Sequence, residues 1–398
     1  MTTAPAGVGP TLHLTPHMAD GAWPFHLVSA QIDWPSGATS QGWGRDADAS
    51  LAQRKAMAEA VERHAYTTLP ATVKRARGAD LAPRIEPDQL VRYSPEQASS
   101  PGFPLARYDP MQERWWAPAI PTEDGALTWV AADFVCTPRA FAAADRACLL
   151  THATSSGCAS GASLADAIAR GTFELVERDA FMRHWLAQVP GDVLVPASLP
   201  TWCAARLADL RACACHAGIQ CLTLGAHPTF LAWAQHERLH FTCVGAAAGC
   251  DAEEALRIAL NEMETMALAW LGAEHAPEMQ PTQVLIPADH GALYVTREFF
   301  RSADAVLRAP AGALRFADAA IACATTPSQL YEGLRRRGHA PHWVDLSLPE
   351  AANALDGEPL YTVRTLAPGL VPLAFGWGRQ PFGMVEVAPG GRFPHPFN

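Results

Sequence analysis

Two stretches of the sequence carry the same acidic and basic side chains at the same spacing. Residues 59–63 read Glu-Ala-Val-Glu-Arg, and residues 174–178 read Glu-Leu-Val-Glu-Arg. On a helix, side chains three positions apart share one face, with Cβ atoms about 5–6 Å apart. Each stretch therefore predicts two neighbouring carboxylates with a guanidinium beside them. Four such carboxylates could bind divalent cations together with a phosphate, because hard cations prefer oxygen ligands and relieve the repulsion between the acids.

A single stretch of this kind is ordinarily a solvated helix face, whose ion pairs contribute about 0.2–0.5 kcal/mol each. Two copies favour a functional site, because apolar residues are interleaved with both of them. Ala60 and Val61 lie inside the first stretch, and Phe173, Val176 and Phe181 lie in or around the second. Helices that are apolar on several faces are mostly buried, and buried glutamates need partners.

The composition is that of a large globular protein with an acidic balance. The chain has 398 residues, of which 49% are hydrophobic, and its net charge is −10 with a pI near 5.8. This charge argues against a nucleic-acid surface or a basic membrane patch. The N-terminus lacks a signal-peptide pattern, and the sequence contains no run of about 20 apolar residues. The sequence therefore predicts a cytoplasmic protein that binds neither nucleic acid nor membrane.

The cysteines are scattered along the chain and predict reduced thiols rather than a disulfide framework. The densest group could suggest a zinc site and comprises Cys203, Cys213, Cys215, His216 and Cys221. It contains no Cys-x-x-Cys pair, and a predicted helix over 205–218 would point Cys213 and Cys215 to different faces. Small buried side chains are the better interpretation.

The helices that carry the acids are predicted within a recurring pattern of elements. In each copy, a loop or strand rich in small residues leads into an alanine-rich helix that carries glutamate. The three copies are a loop at 35–44 with a helix at 46–67, a loop at 151–161 with a helix at 163–187, and a strand at 241–249 with a helix at 251–271. Further strands are predicted at 24–34 and 127–136. The recurrence favours one mixed domain built around a common site.

The C-terminus ends in a segment with alternating prolines. Pro394 and Pro396 alternate with His395 and Phe397 up to Asn398. Two prolines at this spacing favour an extended, polyproline-like conformation that costs little entropy to order. Chain ends usually fray, but the stiffness and the aromatic and imidazole side chains predict a tail that docks on the protein.

Together these features resemble the YcaO family. The resemblance is carried by residues 42–66, 155–181 and 252–266 and by the proline-spaced end, and it covers roughly residues 26–398. It implies an α+β (mixed α/β) fold, a single YcaO-like domain with pseudo-repeated strand–helix units around a nucleotide site. The implied divisions are a flexible lead-in at 1–25, an ATP-binding domain at 26–390 and a tail at 391–398 that reaches the active site.

The resemblance also implies roles for individual residues. The implied ligands of Mg²⁺ are Glu59, Glu62, Glu174 and Glu177. The residues implied for ATP are Ser50, Arg63, Asp166, Arg178 and Glu262, although the two arginines could equally serve to orient the neighbouring glutamates. Pro394, Pro396 and the terminal carboxylate of Asn398 are implied to orient or deprotonate the substrate.

Several positions depart from the family pattern. Trp43 stands where family loops often carry lysine between two glycines, and Ala162 and Ile258 replace a common asparagine and arginine. The chain also ends at Asn398 where the family has a third proline. A weakened nucleotide site is the alternative that these departures leave open.

The function implied by the resemblance is ATP- and Mg²⁺-dependent cyclodehydration of Cys, with Ser and Thr as further candidates, in a ribosomally made precursor peptide. The implied partners are that precursor with its leader, a leader-binding cyclodehydratase component similar to an activating enzyme, and a flavin dehydrogenase, in a homodimer or hetero-oligomer. Two alternatives stay open. The chain could make a thioamide or amidine on a peptide, or it could be a non-catalytic scaffold of a peptide-modifying complex.

Overall fold

The computed structural model describes residues 9–17, 24–123, 125–273, 278–309, 312–323, 325–351 and 359–397. The chain forms two compact units, each assembled from three separate stretches of sequence. The first unit contains residues 1–87, 104–172 and 341–367, and the second contains residues 88–103, 173–340 and 368–398. Both units combine helices and sheet, so the predicted mixed class is confirmed.

The strands of the described residues are β1 Thr11–Pro16, β2 His26–Asp33, β3 Thr39–Asp46, β4 Lys74–Arg77, β5 Glu113–Pro121, β6 Thr128–Ala131, β7 Cys158–Gly161, β8 Asp192–Leu194, β9 Cys215–Leu222, β10 Thr229–His236, β11 Phe241–Ala247, β12 Ala313–Leu314, β13 His342–Asp345 and β14 Tyr361–Leu366. The helices are α1 Ala49–Ala65, α2 Pro87–Leu90, α3 Pro95–Ser99, α4 Ala143–Arg146, α5 Leu164–Ala187, α6 Thr201–Ala212, α7 Ala252–Leu271, α8 Pro287–Leu293, α9 Asp304–Leu307, α10 Phe316–Ala322 and α11 Pro327–Arg336. The three glutamate-bearing helices, α1, α5 and α7, all form where the sequence predicts them.

The first unit places α1 against an antiparallel sheet with strand order β1-β2-β3. Asp48 caps α1, and its side chain accepts a hydrogen bond from the Leu51 N–H. The helix approaches β3 so closely that a Cβ on Gly44 would lie 1.7 Å from the Ala52 carbonyl oxygen. Only small residues on both elements permit this approach, and it fixes the position of α1 relative to β3.

A second sheet of the first unit has the order β4-β5-β13-β14-β7, with β6 paired to β5. Arg364 on β14 is buried, and its guanidinium donates to the carbonyl oxygens of Val135, Thr154 and Ser156. These bonds hold the loop that leads through β7 into α5. The division between the units falls between Thr172 and Phe173, within α5.

The second unit is built on a sheet with the order β11-β10-β9-β8-β12. The strands from β8 to β11 pair antiparallel, whereas β12 runs parallel to β8. Helix α7 packs closely on β11, as α1 does on β3, and again a strand glycine lies against a helix alanine. A Cβ on Gly245 would lie 2.4 Å from the Ala259 carbonyl oxygen. A further core is formed by the second half of α5, by α8 and by the C-terminal segment, including Phe181, Trp185 and Phe397.

The structure corrects several predicted elements. Part of the predicted flexible lead-in is ordered as β1, because its backbone pairs with β2. Most of the predicted loop at 35–44 is strand β3, since Gly42 and Gly44 can lie flat beneath α1. The predicted strand at 127–136 keeps only its first part as β6 and continues as a 3₁₀ turn.

The cysteine-rich region also differs from the prediction in its secondary structure. Helix α6 ends at Ala212, and Cys215 begins strand β9 instead of continuing a helix. The hairpin partner β10 was not predicted. All ten cysteines are free thiols, in agreement with the prediction of reduced cysteines. Within the described residues, no helix is long and apolar enough to cross a membrane.

Replacement of Gly44 by alanine tests the contact between α1 and β3. The new Cβ would collide with backbone atoms of Ala52 and Ala56, so we expect Gly44→Ala to lower the free energy of unfolding by at least about 1–3 kcal/mol. Gly333→Ala on α11 is the matched control, because a Cβ there meets nothing within 4 Å. Alanine should stabilise that helix by up to about 1 kcal/mol. Urea unfolding followed by circular dichroism measures both, and equal midpoints would contradict the close approach.

Candidate functional site

The first acidic stretch lies on α1, where Glu59 is held at both carboxylate oxygens. The Trp43 backbone N–H donates to Glu59 Oε2 over 2.5 Å, and Arg63 Nη2 donates to Glu59 Oε1 over 2.7 Å. The glycines on β3 bring the strand within reach of this side chain. Glu62 lies half-buried on the same helix, and its charge adds to burial in raising the pKa of Tyr66. The first unit thus holds Glu59 in one orientation.

The second acidic stretch lies on α5, where Arg178 pairs with two carboxylates. Its Nη2 lies 3.3 Å from Glu174 Oε1, and its Nη1 lies 2.9 Å from Glu177 Oε1. The three side chains are largely buried, with exposed fractions of 22% for Glu174, 10% for Glu177 and 14% for Arg178. This burial separates the second stretch from an ordinary surface pair.

Burial and like charge dominate the electrostatics of this group. Burial raises the pKa of Glu177 well above its ordinary value, the carboxylates of Glu262 and Glu174 raise it further, and Arg178 opposes them. Burial alone would lower the pKa of Arg178, but the surrounding carboxylates outweigh it and raise that pKa. Glu262 on α7 therefore belongs electrostatically to this group, and its predicted role at the nucleotide stays a prediction. One guanidinium is shared among three acids.

Several buried polar atoms of this group have no hydrogen-bond partner. They are Glu177 Oε1 and the Nε and Nη1 atoms of Arg178. The ion pair between Nη1 and Oε1 is short, but it is not aligned as a hydrogen bond. Unpaired buried groups of this kind are rare and costly, which points to a ligand or an ion as their partner. Carboxylate oxygens in this setting fit Mg²⁺, and guanidinium nitrogens that make no hydrogen bond fit a phosphate oxygen.

No three His, Cys, Asp or Glu side chains converge as a ready metal-binding group within the described ranges. Arg63 and Arg178 each pair with a glutamate of their own helix, which is compatible both with an orienting role and with binding of a phosphate group. Each arginine makes the i,i+4 pair expected of the motif, Arg63 with Glu59 and Arg178 with Glu174. The assignment of the four glutamates to Mg²⁺ stays a prediction.

The C-terminal tail packs onto this acidic group within the second unit. The Arg178 guanidinium lies 4.3 Å from the centre of the Phe397 ring, in cation–π geometry. Residues 394–397 are buried, so the predicted docking of the tail is confirmed for the described residues. Pro394 and Pro396 carry no titratable group, so their contribution is to fix the backbone. Asn398 lies outside the described residues.

The remaining predicted residues lie apart from these two groups along their helices. Ser50 is exposed in the first turn of α1, about two and a half turns before Glu59. Asp166 opens α5 and pairs with Arg170 over 2.9 Å, with 40% of its side chain exposed. Their predicted roles at the nucleotide stay predictions.

The structure shows which contacts are made at two of the positions that depart from the family pattern. The Glu59 contact at Trp43 comes from the backbone N–H, which any residue but proline supplies, so the change from lysine leaves it intact. Arg257 does not take the place of an arginine at Ile258, because its guanidinium pairs with Glu253 and Glu254. Ile258 itself is partly exposed.

Three further residues contact the tail and were not found from the sequence. His290, Tyr294 and Trp185 each donate a hydrogen bond to a tail carbonyl, at 2.7, 2.8 and 3.0 Å. They lie on different elements and follow no motif spacing. In the sequence, only the aromatic side chains of the tail indicated that it would pack into a core.

A family model matches most of this chain. The model is described as YcaO cyclodehydratase, binding ATP and Mg²⁺, and it covers residues 43–371. The chain therefore belongs to the YcaO family, in agreement with the resemblance found in its sequence. ATP and Mg²⁺, the predicted cofactors, are those of the family's description. No curated protein matches the chain significantly.

Solved structures share the fold at low sequence identity. One is a heterocyclase in complex with substrate and cofactor, with 18% identity, a TM-score of 0.73, and coverage of 97% of this chain and 55% of that chain. A second is YcaO from Methanopyrus kandleri bound with AMPPCP and Mg²⁺, with 17% identity, a TM-score of 0.63, and coverage of 91% and 86%. A third is the E. coli microcin synthetase McbBCD complex with pro-MccB17 bound, with 13% identity, a TM-score of 0.70, and coverage of 100% and 99%. This chain thus spans about half the length of the first of them.

Substitution of Glu177 by glutamine should affect stability only slightly. The amide removes a charge that burial disfavours, and Arg178 keeps Glu174 as its partner. We expect the free energy of unfolding to change by less than about 1 kcal/mol.

The matched control for Glu177→Gln is Asp133→Asn, in a buried pair with Arg114 at 3.0 Å. That substitution leaves the buried Arg114 without its carboxylate and should cost about 3–5 kcal/mol. Thermal unfolding measures both variants. A large loss for Glu177→Gln would show that the carboxylate is kept for stability.

Acidification should destabilise the region around His290. Burial lowers the pKa of His290 from 6.5 to about 4. The unfolded chain therefore binds a proton that the folded chain does not, and stability falls as the pH drops from about 6.5 towards 4. At about pH 5 this group alone should lose about 2 kcal/mol.

The variant that checks this pH effect is His290→Gln, which cannot titrate but can still donate and accept hydrogen bonds. Its melting temperature should fall less steeply than that of the natural protein between about pH 7 and 5. Parallel curves for the two proteins would contradict a neutral buried His290.

Proposed function

We propose that this protein catalyses the ATP- and Mg²⁺-dependent cyclodehydration of Cys, with Ser and Thr as further candidates, in a ribosomally made precursor peptide. The observation that carries the proposal is the buried Arg178 group, where one carboxylate oxygen, Glu177 Oε1, and two guanidinium nitrogens make no hydrogen bond in a chain of the YcaO family. Such a group suits a magnesium nucleotide. The heterocyclase named above, solved with substrate and cofactor, has the same fold and supports this assignment.

The reaction proposed is an attack of a side-chain thiol or hydroxyl on the preceding amide carbonyl. The thiol or hydroxyl loses its proton, a carbon–sulfur or carbon–oxygen bond forms, and the amide oxygen accepts the γ-phosphoryl group of ATP. Loss of the amide proton and of phosphate then leaves the thiazoline or oxazoline ring. The peptide loses one water in total, and ATP becomes ADP and phosphate.

In this proposal the glutamates bind the cation and the arginines bind the nucleotide. The proposed Mg²⁺ ligands are Glu59 and Glu62 of the first unit and Glu174 and Glu177 of the second. Bound Mg²⁺ would supply neutralisation of charge on the phosphate oxygens, the main requirement of phosphoryl transfer. The Trp43 N–H and Arg63 orient Glu59 before any ligand binds. Arg178 offers its Nε and Nη1 atoms to a phosphate oxygen. Pre-oriented groups pay less entropy when the ligand binds.

The proposed partners are the precursor peptide with its leader, a leader-binding component similar to an activating enzyme, and a flavin dehydrogenase that would oxidise the rings. The E. coli McbBCD complex has a structure with pro-MccB17 bound, which supports a multi-protein assembly for this chain too. The proposed location is the cytoplasm, where ATP and newly made peptide are both available.

The test is a reconstitution with the purified chain, its candidate partner and precursor, ATP and Mg²⁺. We expect phosphate release that depends on the precursor, together with loss of one water mass per ring formed. Glu177→Gln should reduce both rates by about 100-fold or more, since even residues that only support metal ligands often contribute 10–100-fold. Glu332→Gln is the matched control, because that glutamate is exposed on α11 and pairs loosely with Arg336 at 3.6 Å.

The outcomes separate the alternatives. A peptide that gains the mass difference between sulfur and oxygen when sulfide is supplied would replace cyclodehydration by thioamide formation. Phosphate release without change in the peptide, or the same activity in Glu177→Gln as in the natural protein, would overturn the proposed reaction. An unmodified peptide and no phosphate release, with a partner of proven activity present, would leave a scaffold role.

A further inference from the structure

The C-terminal tail is bound through its backbone carbonyls. Proline at 394 and 396 removes two backbone N–H donors, so this segment cannot pair as an ordinary strand. Instead, three consecutive carbonyl oxygens accept hydrogen bonds from side chains. Trp185 Nε1 donates to Phe393, Tyr294 Oη to Pro394, and His290 Nδ1 to His395.

The three donors are rigidly held. Trp185, Tyr294 and His290 are completely buried. His290 also accepts the Gly376 N–H at its Nε2 atom, over 2.9 Å, which leaves the ring proton on Nδ1 for the tail. Trp185 projects from the same helix, α5, that carries Arg178 two turns earlier. The carbonyls are therefore bound by donors whose own positions are fixed.

The end of the tail is in contact with the acidic group. The Phe397 ring packs against Phe181, with centroids 4.9 Å apart, and lies beneath the Arg178 guanidinium at 4.3 Å. Arg178 in turn pairs with Glu174 and Glu177. A buried ring 4.3 Å from the guanidinium carbon restricts the movement of that group, while its Nε and Nη1 atoms make no hydrogen bond within the protein.

We propose that His290, Tyr294 and Trp185 are positioning residues that fix the tail so that Phe397 holds the Arg178 guanidinium with Nε and Nη1 directed to a phosphate group of the nucleotide. The identity of that ligand rests on the proposed function, whereas the coupling from the tail to Arg178 rests on the contacts within the second unit. The three residues act on the site through Phe397 and touch no reacting atom.

The first experiment follows the Arg178 side chain without any ligand. The ring current of Phe397 should change the chemical shift of the Arg178 Nε–H, a displacement that a ¹⁵N-resolved NMR spectrum measures. The signal is assigned by its loss in Arg178→Lys. Tyr294→Phe and His290→Ala should reduce the displacement, and Phe397→Leu should abolish it. Tyr361→Phe removes a tyrosine hydroxyl from an exposed position on β14 and should leave the signal unchanged. A signal unaffected by Phe397→Leu would overturn the contact.

The second experiment measures the affinity of AMPPCP with Mg²⁺ by calorimetry, with a melting curve to confirm that each variant is folded. We expect Phe397→Leu and Tyr294→Phe to weaken binding by about tenfold, equal to the loss of one good polar interaction. Phe397→Tyr keeps an aromatic ring at this position and should bind AMPPCP as tightly as the natural protein does. In a double-mutant cycle, Phe397→Leu should have little effect once Arg178 is replaced by lysine.

The two experiments distinguish failure of this inference from failure of the proposed function. A natural protein that does not bind AMPPCP overturns the nucleotide assignment, while the NMR displacement still decides whether the tail positions Arg178. A displacement that disappears in Tyr294→Phe with unchanged AMPPCP affinity overturns the positioning role at the nucleotide. Additive effects of Phe397→Leu and Arg178→Lys would also overturn it.

Discussion

The arrangement of the second unit depends on one buried guanidinium shared among three carboxylates. Arg178 is paired with Glu174 and Glu177, and Glu262 adds its charge from another helix. Burial and mutual repulsion disfavour the ionised acids, and one cation of charge +1 cannot neutralise three anions. A divalent ion would relieve this excess, so the same feature that lowers stability without a ligand would favour the proposed binding of a metal nucleotide. Phe397, which lies against the Arg178 guanidinium, and Phe181, which packs on Phe397, are buried and strengthen these interactions by excluding water.

The backbone supports these side chains by one device that is used in both units. A glycine on a strand lets an alanine-rich helix approach until there is no room for a Cβ, with Gly44 beneath α1 and Gly245 beneath α7. Ala56 and Ala259 lie at these two contacts, and each is followed three positions later by a glutamate, Glu59 or Glu262. Close packing leaves the helix few alternative positions, so the carboxylates are placed by the strand as much as by the helix. This is the physical content of the recurring strand–helix pattern predicted from the sequence.

The tail illustrates where prediction from sequence succeeded and where it stopped. Alternating prolines predicted an extended segment that docks, and residues 394–397 are indeed buried. The donors that bind it come from Trp185, His290 and Tyr294, on two helices and the turn after α8, and no local spacing connects them. The same limit explains the error at 35–44, where small residues that are typical of loops serve instead as the flat strand on which α1 rests. A local sequence pattern indicates which backbone conformations a segment prefers, whereas tertiary packing decides which conformation the segment adopts.

The amino-acid sequence was enough to indicate the family, to predict the three glutamate-bearing helices and to single out the acidic and basic side chains of the proposed site. Those properties follow from residue type and helical spacing, which act over a few positions of the chain. Folding buries Glu177 but leaves Glu59 half-exposed, although the two residues belong to copies of one motif. Folding also brings the charge of Glu262 close enough to act on Arg178, and it places the Phe397 ring against the Arg178 guanidinium. Burial and charge coupling depend on neighbours far apart in the chain, which no motif spacing can specify.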